Sequence, residues 1–175
     1  AHAHLMADGR PLPQTLTIPA AARVIVGFWK TPLGRPMLRE RARGFVECEL
    51  NAGVTTLRCL GEYDNEAITL GRDSETGRWS GPRITASGPL LATTGGHGAE
   101  LGLARVVDAP WEGRKAVRQN LHLGATSIKI AATGGVTDAK VVGEAGRPQM
   151  TVEEMTAICE EAHSAGVLVA AHAQS

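Results

Sequence analysis

The period of the apolar positions changes several times along this chain, and each change marks an element. From about Met37 to Ala52, Leu38, Ala42, Phe45, Val46 and Leu50 recur three or four residues apart, with arginines and glutamates between them. That spacing predicts an amphipathic helix, and Gly53 is placed to end it. Val54-Thr55-Thr56-Leu57-Arg58-Cys59-Leu60 then reads as a buried strand, short and rich in β-branched residues. A helix is expected at about 65–71, starting near Asp64 or Asn65, and after the turn Gly81-Pro82 a strand at Arg83-Ile84-Thr85-Ala86-Ser87. Asp108 is a candidate N-cap for a helix with Pro110 in its first turn, running to about Leu123 and stopped by Gly124. Ser127-Ile128-Lys129-Ile130-Ala131-Ala132 is the next strand. Thr151-Val152-Glu153-Glu154 forms a capping box. Its helix is expected to bury Val152, Met155, Ile158, Cys159 and Ala162 and to end at Gly166, before the strand Val167-Leu168-Val169-Ala170-Ala171-His172.

Two stretches break this rhythm. Residues 7–36, with prolines at 11, 13, 19, 32 and 36, and residues 88–109 are expected to be long loops of functional character. The patch Val24-Ile25-Val26-Gly27-Phe28-Trp29 inside the first is open between helix and strand. Helix end, glycine and apolar strand recur at Gly53, Gly124 and Gly166, a repeated unit of roughly 35–42 residues when two units are counted in the first interval. Apolar strands alternating with amphipathic helices predict an α/β fold with a parallel sheet covered by helices. A doubly wound sheet and a (β/α)8 barrel both fit. No G-x-G-x-x-G opens a helix, which disfavours a dinucleotide-binding version.

The 175 residues carry formal charge zero, with 43% hydrophobic and 21% charged side chains. A balanced surface offers no basic stripe for nucleic acid and no polybasic patch for a membrane, and no apolar run reaches spanning length. Three widely spaced cysteines, Cys48, Cys59 and Cys159, fit neither a disulfide framework nor a zinc finger. Reduced thiols in a cytoplasm are expected.

The polar residues that stand out lie at or near strand ends. His2 and His4, one residue apart, have the spacing of side chains on one strand face, so both imidazoles can reach one point and suit a divalent metal. A tag remnant or loose terminus would give the same pair. Lys129 sits between isoleucines in an otherwise uncharged strand, where an ammonium is costly. It can snorkel, pair with a carboxylate, or lose its charge, and as a carbamate it would become an anionic ligand able to bridge two metal ions. His172 ends the last strand. Arg58 and Glu62 either line a pocket or pair at the surface. His122 and His163 suit helix C-termini, the cysteines read as packing residues, and Glu153, Glu154, Glu160 and Glu161 as a solvated helix face.

The ordered set A-H-A-H-L at 1–5, N-A-G-V-T-T-L-R at 51–58, G-P-R-I-T-A-S-G at 81–88, T-G-G-H-G at 94–98, S-I-K-I-A-A-T-G-G at 127–135, Q-M-T-V-E-E-M at 149–155 and A-A-H-A at 170–173 resembles the amidohydrolase superfamily of metal-dependent hydrolases. More narrowly it is similar to the imidazolonepropionase-related and Xaa-Pro dipeptidase-like branch. The resemblance implies a partial (β/α)8 TIM barrel, strands one to five with outer helices. It implies two divalent ions, usually zinc: His2 and His4 on the more buried ion, carboxylated Lys129 as the bridge, His172 on the second. His97 falls near the substrate and would contact a carboxylate or the developing oxyanion; a loop histidine bonded to its own backbone is the alternative. The implied reaction is hydrolysis of an amide, peptide-like or cyclic amide C–N bond in a small, dipeptide-like substrate by metal-activated water.

The family pattern continues past Ser175, with a histidine at the sixth strand and, at the eighth, an aspartate that serves as general base. No catalytic residue is therefore assignable within 1–175. The expectation is one incomplete barrel domain, completed by a C-terminal part or a companion chain, inactive alone and able to form a homo-oligomer. The competing expectation is a non-catalytic α/β fragment acting as an assembly or partner-binding module.

Overall fold

The computed structural model describes residues 2–5, 18–137 and 139–174, with only the backbone for His2 and Pro19. The elements are β1 (His2–Ala3), α1 (Pro19–Trp29), α2 (Gly34–Asn51), β2 (Thr56–Cys59), α3 (Glu66–Glu75), β3 (Arg83–Ala86), β4 (Leu90–Ala92), β5 (Ala104–Val106), α4 (Pro110–Leu123), β6 (Ile128–Ala131), α5 (Val152–Ser164) and β7 (Val169–His172). Every pairing between these strands is parallel, in two sheets of order β1-β2-β3 and β5-β4-β6-β7. The fold class is α/β. Among the described residues no helix is long and apolar enough to cross a membrane.

The helices cover one face of each sheet because the strands send alternate side chains that way. Leu57 and Cys59 of β2 pack with Ala42 and Val46 of α2 and Ala67, Ile68 and Leu70 of α3. In the second sheet Leu91, Ile128 and Ile130 pack with Val117 of α4 and Ile158 and Ala162 of α5. Helix α3 lies so close to β3 that a Cβ on Gly71 would sit 2.8 Å from the Ile84 carbonyl oxygen.

The two sheets meet at a bend. Between β3 and β4 the chain turns at Ser87-Gly88-Pro89, with Gly88 at φ 68°, a conformation glycine adopts without strain. Fully buried Asn120 of α4 donates from Nδ2 to the Ser87 and Pro89 carbonyls at 3.2 and 3.1 Å. Thr126 N–H donates to the Ala86 carbonyl at 2.8 Å. The path 83–92 therefore pairs with β2 in its first half and with β6 in its second.

Several expectations are revised by packing. The stretch 88–109 carries two three-residue strands, β4 and β5, too short to show a period of their own. Within 7–36, residues 19–29 form α1, which turns Val26 and Trp29 inward and leaves Val24 exposed; the expected loop at 7–17 lies outside the described residues. Asp108 is not the N-cap of α4. Ala109 is, and the Asp108 carboxylate instead accepts hydrogen bonds from the Thr94 N–H and hydroxyl at 2.7 and 2.6 Å. Val152 is 70% exposed, because the buried row of α5 is Glu154, Ile158 and Ala162 and Val152 lies roughly 200° around the helix from Glu154. Glu154 is buried within the capping box, and Glu160 and Glu161 pair with Arg114 and Arg118 of α4.

Candidate active site at the strand ends

The first half of the site grows out of the parallel register of β1 and β2. His2 pairs with Arg58 and Ala3 with Cys59, so His4 leaves the sheet edge where β2 ends. The loop after β2 turns back at Gly61, whose N–H donates to Ser87 Oγ at 2.8 Å. That turn sets Glu62, 4% exposed, beneath His4. Glu62 Oε1 lies 3.2 Å from His4 Nδ1 and accepts from the Leu5 N–H at 3.1 Å. A carboxylate oxygen only accepts, so Nδ1 carries the proton and the lone pair of the neutral ring is on Nε2. The bond to Glu62 raises the pKa of His4 above the ordinary imidazole value, against burial and the nearby positive charge of Lys129.

The second half is built on β6 and β7. Ile128 and Ile130 point to the helices, so Lys129 points to the opposite face, half-buried. Burial first, and the Arg58 charge second, push its pKa below the usual lysine value. Lys129 is in register with Ala170, and Ala131 with His172, so Lys129 and His172 share one face of the sheet. His172 Nε2 lies 3.1 Å from the Gly134 carbonyl oxygen and donates to it, leaving the neutral ring's lone pair on Nδ1. The His97 ring stacks on His172 with centroids 4.5 Å apart and an interplanar angle of 23°. His97 is fixed by its backbone, whose N–H donates to Gln149 Oε1 at 2.9 Å. Gly135 lies against the same ring: a Cβ there would sit 2.2 Å from His97 Nδ1.

His4, Lys129, His172 and His97 thus collect at one end of the two sheets, linked by the Lys129 charge felt at His4 and by the His97–His172 stack. A Cβ on Gly61 would lie 3.4 Å from Lys129 Cγ, which places the loop carrying Glu62 directly beside the lysine. Among the described residues no three His, Cys, Asp or Glu side chains close around one point. A metal centre here therefore depends on Lys129 and on the side chain of His2, which lies outside the described part. The donor chemistry fits such a centre, since a hydrogen bond fixes one ring nitrogen of His4 and one of His172 and so sets the tautomer of each neutral ring. His122 and His163 lie in the last turns of α4 and α5. A separate cleft of about 360 Å³ lies around Lys30, Arg35, Tyr63, Asp64 and Arg105, and contains none of these histidines.

The family model of the Amidohydrolase family matches residues 1–175. The chain belongs to the amidohydrolase family. It is similar to the ochratoxinase of Aspergillus niger, 30% identical over 154 residues, covering 75% of this chain and 31% of the relative. A solved Xaa-Pro dipeptidase with methionine in its active site is 34% identical with TM-score 0.73, over 82% of this chain and 38% of that one. A prolidase complexed with N-methylphosphonate-L-proline is 31% identical with TM-score 0.78, over 99% of this chain and 42% of that one. This amidohydrolase chain spans about a third of the length of the curated relatives it matches.

Three residues carry more of this site than their sequence context signals. Glu62 looked equally suited to a pocket or a surface pair, and only its burial separates the two. Gln149 and Gly135 act through a backbone amide and an absent side chain, features that leave no residue-type signature.

Proposed function

We propose that the protein carrying this chain is a metal-dependent amidohydrolase that hydrolyses an amide, peptide-like or cyclic amide C–N bond in a small, dipeptide-like substrate. The observation that carries this is the placement of Lys129 and His172 on one face of adjacent parallel strands, with His4 within electrostatic reach of Lys129. In this reading β1, β2, the bent path β3–β4, β6 and β7 are the first five strand positions of a (β/α)8 barrel, with β5 an added edge. The site then sits at the strand C-termini, where such barrels build their chemistry.

His2 and His4 would hold one divalent ion, zinc being the expected metal, His172 the second, and Lys129 as its carbamate would bridge them. Ions held there would supply Lewis-acid polarisation of the scissile carbonyl and an activated water. The protein's own part is orientation. Glu62 and the Gly134 carbonyl fix the ring nitrogens, and the Gln149 side chain holds the backbone of the loop that presents His97 to the substrate. The names of the relatives, Xaa-Pro dipeptidase and prolidase, support a substrate with a proline-like half.

The test is hydrolysis of Xaa-Pro dipeptides by the full-length protein before and after chelation. Turnover lost on chelation, restored by zinc and abolished in Lys129→Ala is expected. Turnover untouched by both treatments contradicts the proposal.

A further inference from the structure

Among the described residues, Glu62 is one of two buried carboxylates beside the first sheet, and the two are satisfied in different ways. Glu66 is 2% exposed and meets the guanidinium of Arg39, with bonds of 2.8 and 3.2 Å to its two oxygens. Glu62 is as well buried, yet the side chain it meets is the imidazole of His4, and the same oxygen accepts the Leu5 amide. A buried carboxylate is costly without a compensating charge, and a neutral imidazole compensates it only in part. Withdrawal of electron density through Nε2 makes the Nδ1–H a stronger donor, so the pair is best satisfied when His4 carries a proton or a metal ion at Nε2.

We infer that Glu62 is a positioning residue for the metal centre: it fixes the His4 tautomer and ring plane so that Nε2 faces the ion, and its negative charge strengthens that bond. This rests on the metal-binding reading of His4. Histidine ligands commonly need such a partner, and its loss typically weakens metal affinity by roughly 10–100-fold. The Leu5 contact gives Glu62 a structural duty as well, so stability alone does not report on the inference.

The experiment measures zinc affinity of the full-length protein by competition with a chromophoric chelator, alongside the visible spectrum of the cobalt-substituted form. Glu62→Ala is expected to weaken one metal equivalent by roughly 10–100-fold and to alter the cobalt bands. Glu62→Gln keeps an acceptor oxygen for both donors and loses only the charge, so its loss is smaller but measurable, and it keeps the test decisive if the alanine variant misfolds. Wild type that binds zinc tightly, with both variants matching it in affinity and spectrum, overturns the role of Glu62 alone. Wild type that takes up no metal overturns the metal centre and this inference together.

Discussion

His4 and His172 stand at corresponding places, each where a strand of one of the two sheets gives way to loop, yet they are held by different means. His4 is held by a buried side chain, its Nδ1 donating to Glu62. His172 is held by backbone, its Nε2 donating to the Gly134 carbonyl. The two rings are therefore fixed through opposite nitrogens and, when neutral, carry their lone pairs on opposite nitrogens. One support can be removed by a point mutation; the other can be reached only by moving the loop after β6. The first half of the site is held by a buried carboxylate and the second by a backbone carbonyl and the His97 stack.

The comparison breaks most severely where the rings themselves are removed. His4→Ala and His172→Ala in the full-length protein should each lower hydrolysis by roughly 100-fold or more, since a metal ion held there would lower the barrier by several kcal/mol. Metal analysis should show each variant losing a different equivalent. Gly135→Ala tests the packed half. Its Cβ cannot coexist with the present His97 ring, and if an overpacking cost of about 1–3 kcal/mol falls on the transition state, kcat/KM drops by roughly 5- to 150-fold. The affinity of the equivalent at His4 should stay at the wild-type value.

Gly71→Ala is the control away from both rings. Its Cβ would press on the Ile84 carbonyl, so unfolding free energy should fall by about 1–3 kcal/mol with the metal content unchanged. The smallest effect belongs to Asp108, whose pKa is lowered by the Thr94 hydroxyl and amide. A carboxyl depressed in the folded state contributes stability above its unfolded pKa and loses it as pH falls through the folded value. The protection of the Thr94 amide, its exchange rate relative to that of an unstructured chain, should therefore fall in that acidic window, and Asp108→Asn should erase this pH-dependent loss of protection.

Much of this was legible in the sequence because it rests on periodicity. The helices from Leu38 to Leu50 and after Thr151, and the strands around Leu57 and Ile130, follow from apolar spacing and caps, and Lys129 stood out as a charge with no place in its strand. What escaped the sequence depends on partners distant along the chain. Leu90–Ala92 is a strand only because Ala104–Val106 and β6 flank it. Asp108 serves Thr94 rather than a helix end because the 93–98 loop folds back to it. Glu62 could not be told from a surface carboxylate until 58 residues of chain had brought it under His4.

The most direct measurement is a crystal structure of the full-length, zinc-loaded protein with anomalous data at the zinc edge. A centre held by a buried carboxylate on one side and by a backbone carbonyl on the other predicts two anomalous peaks. One should be bound through His4 Nε2 with Glu62 behind the ring, the other through His172 Nδ1 with the Gly134 carbonyl behind it. Peaks bound through the other nitrogens, or no peak at either ring, would contradict it.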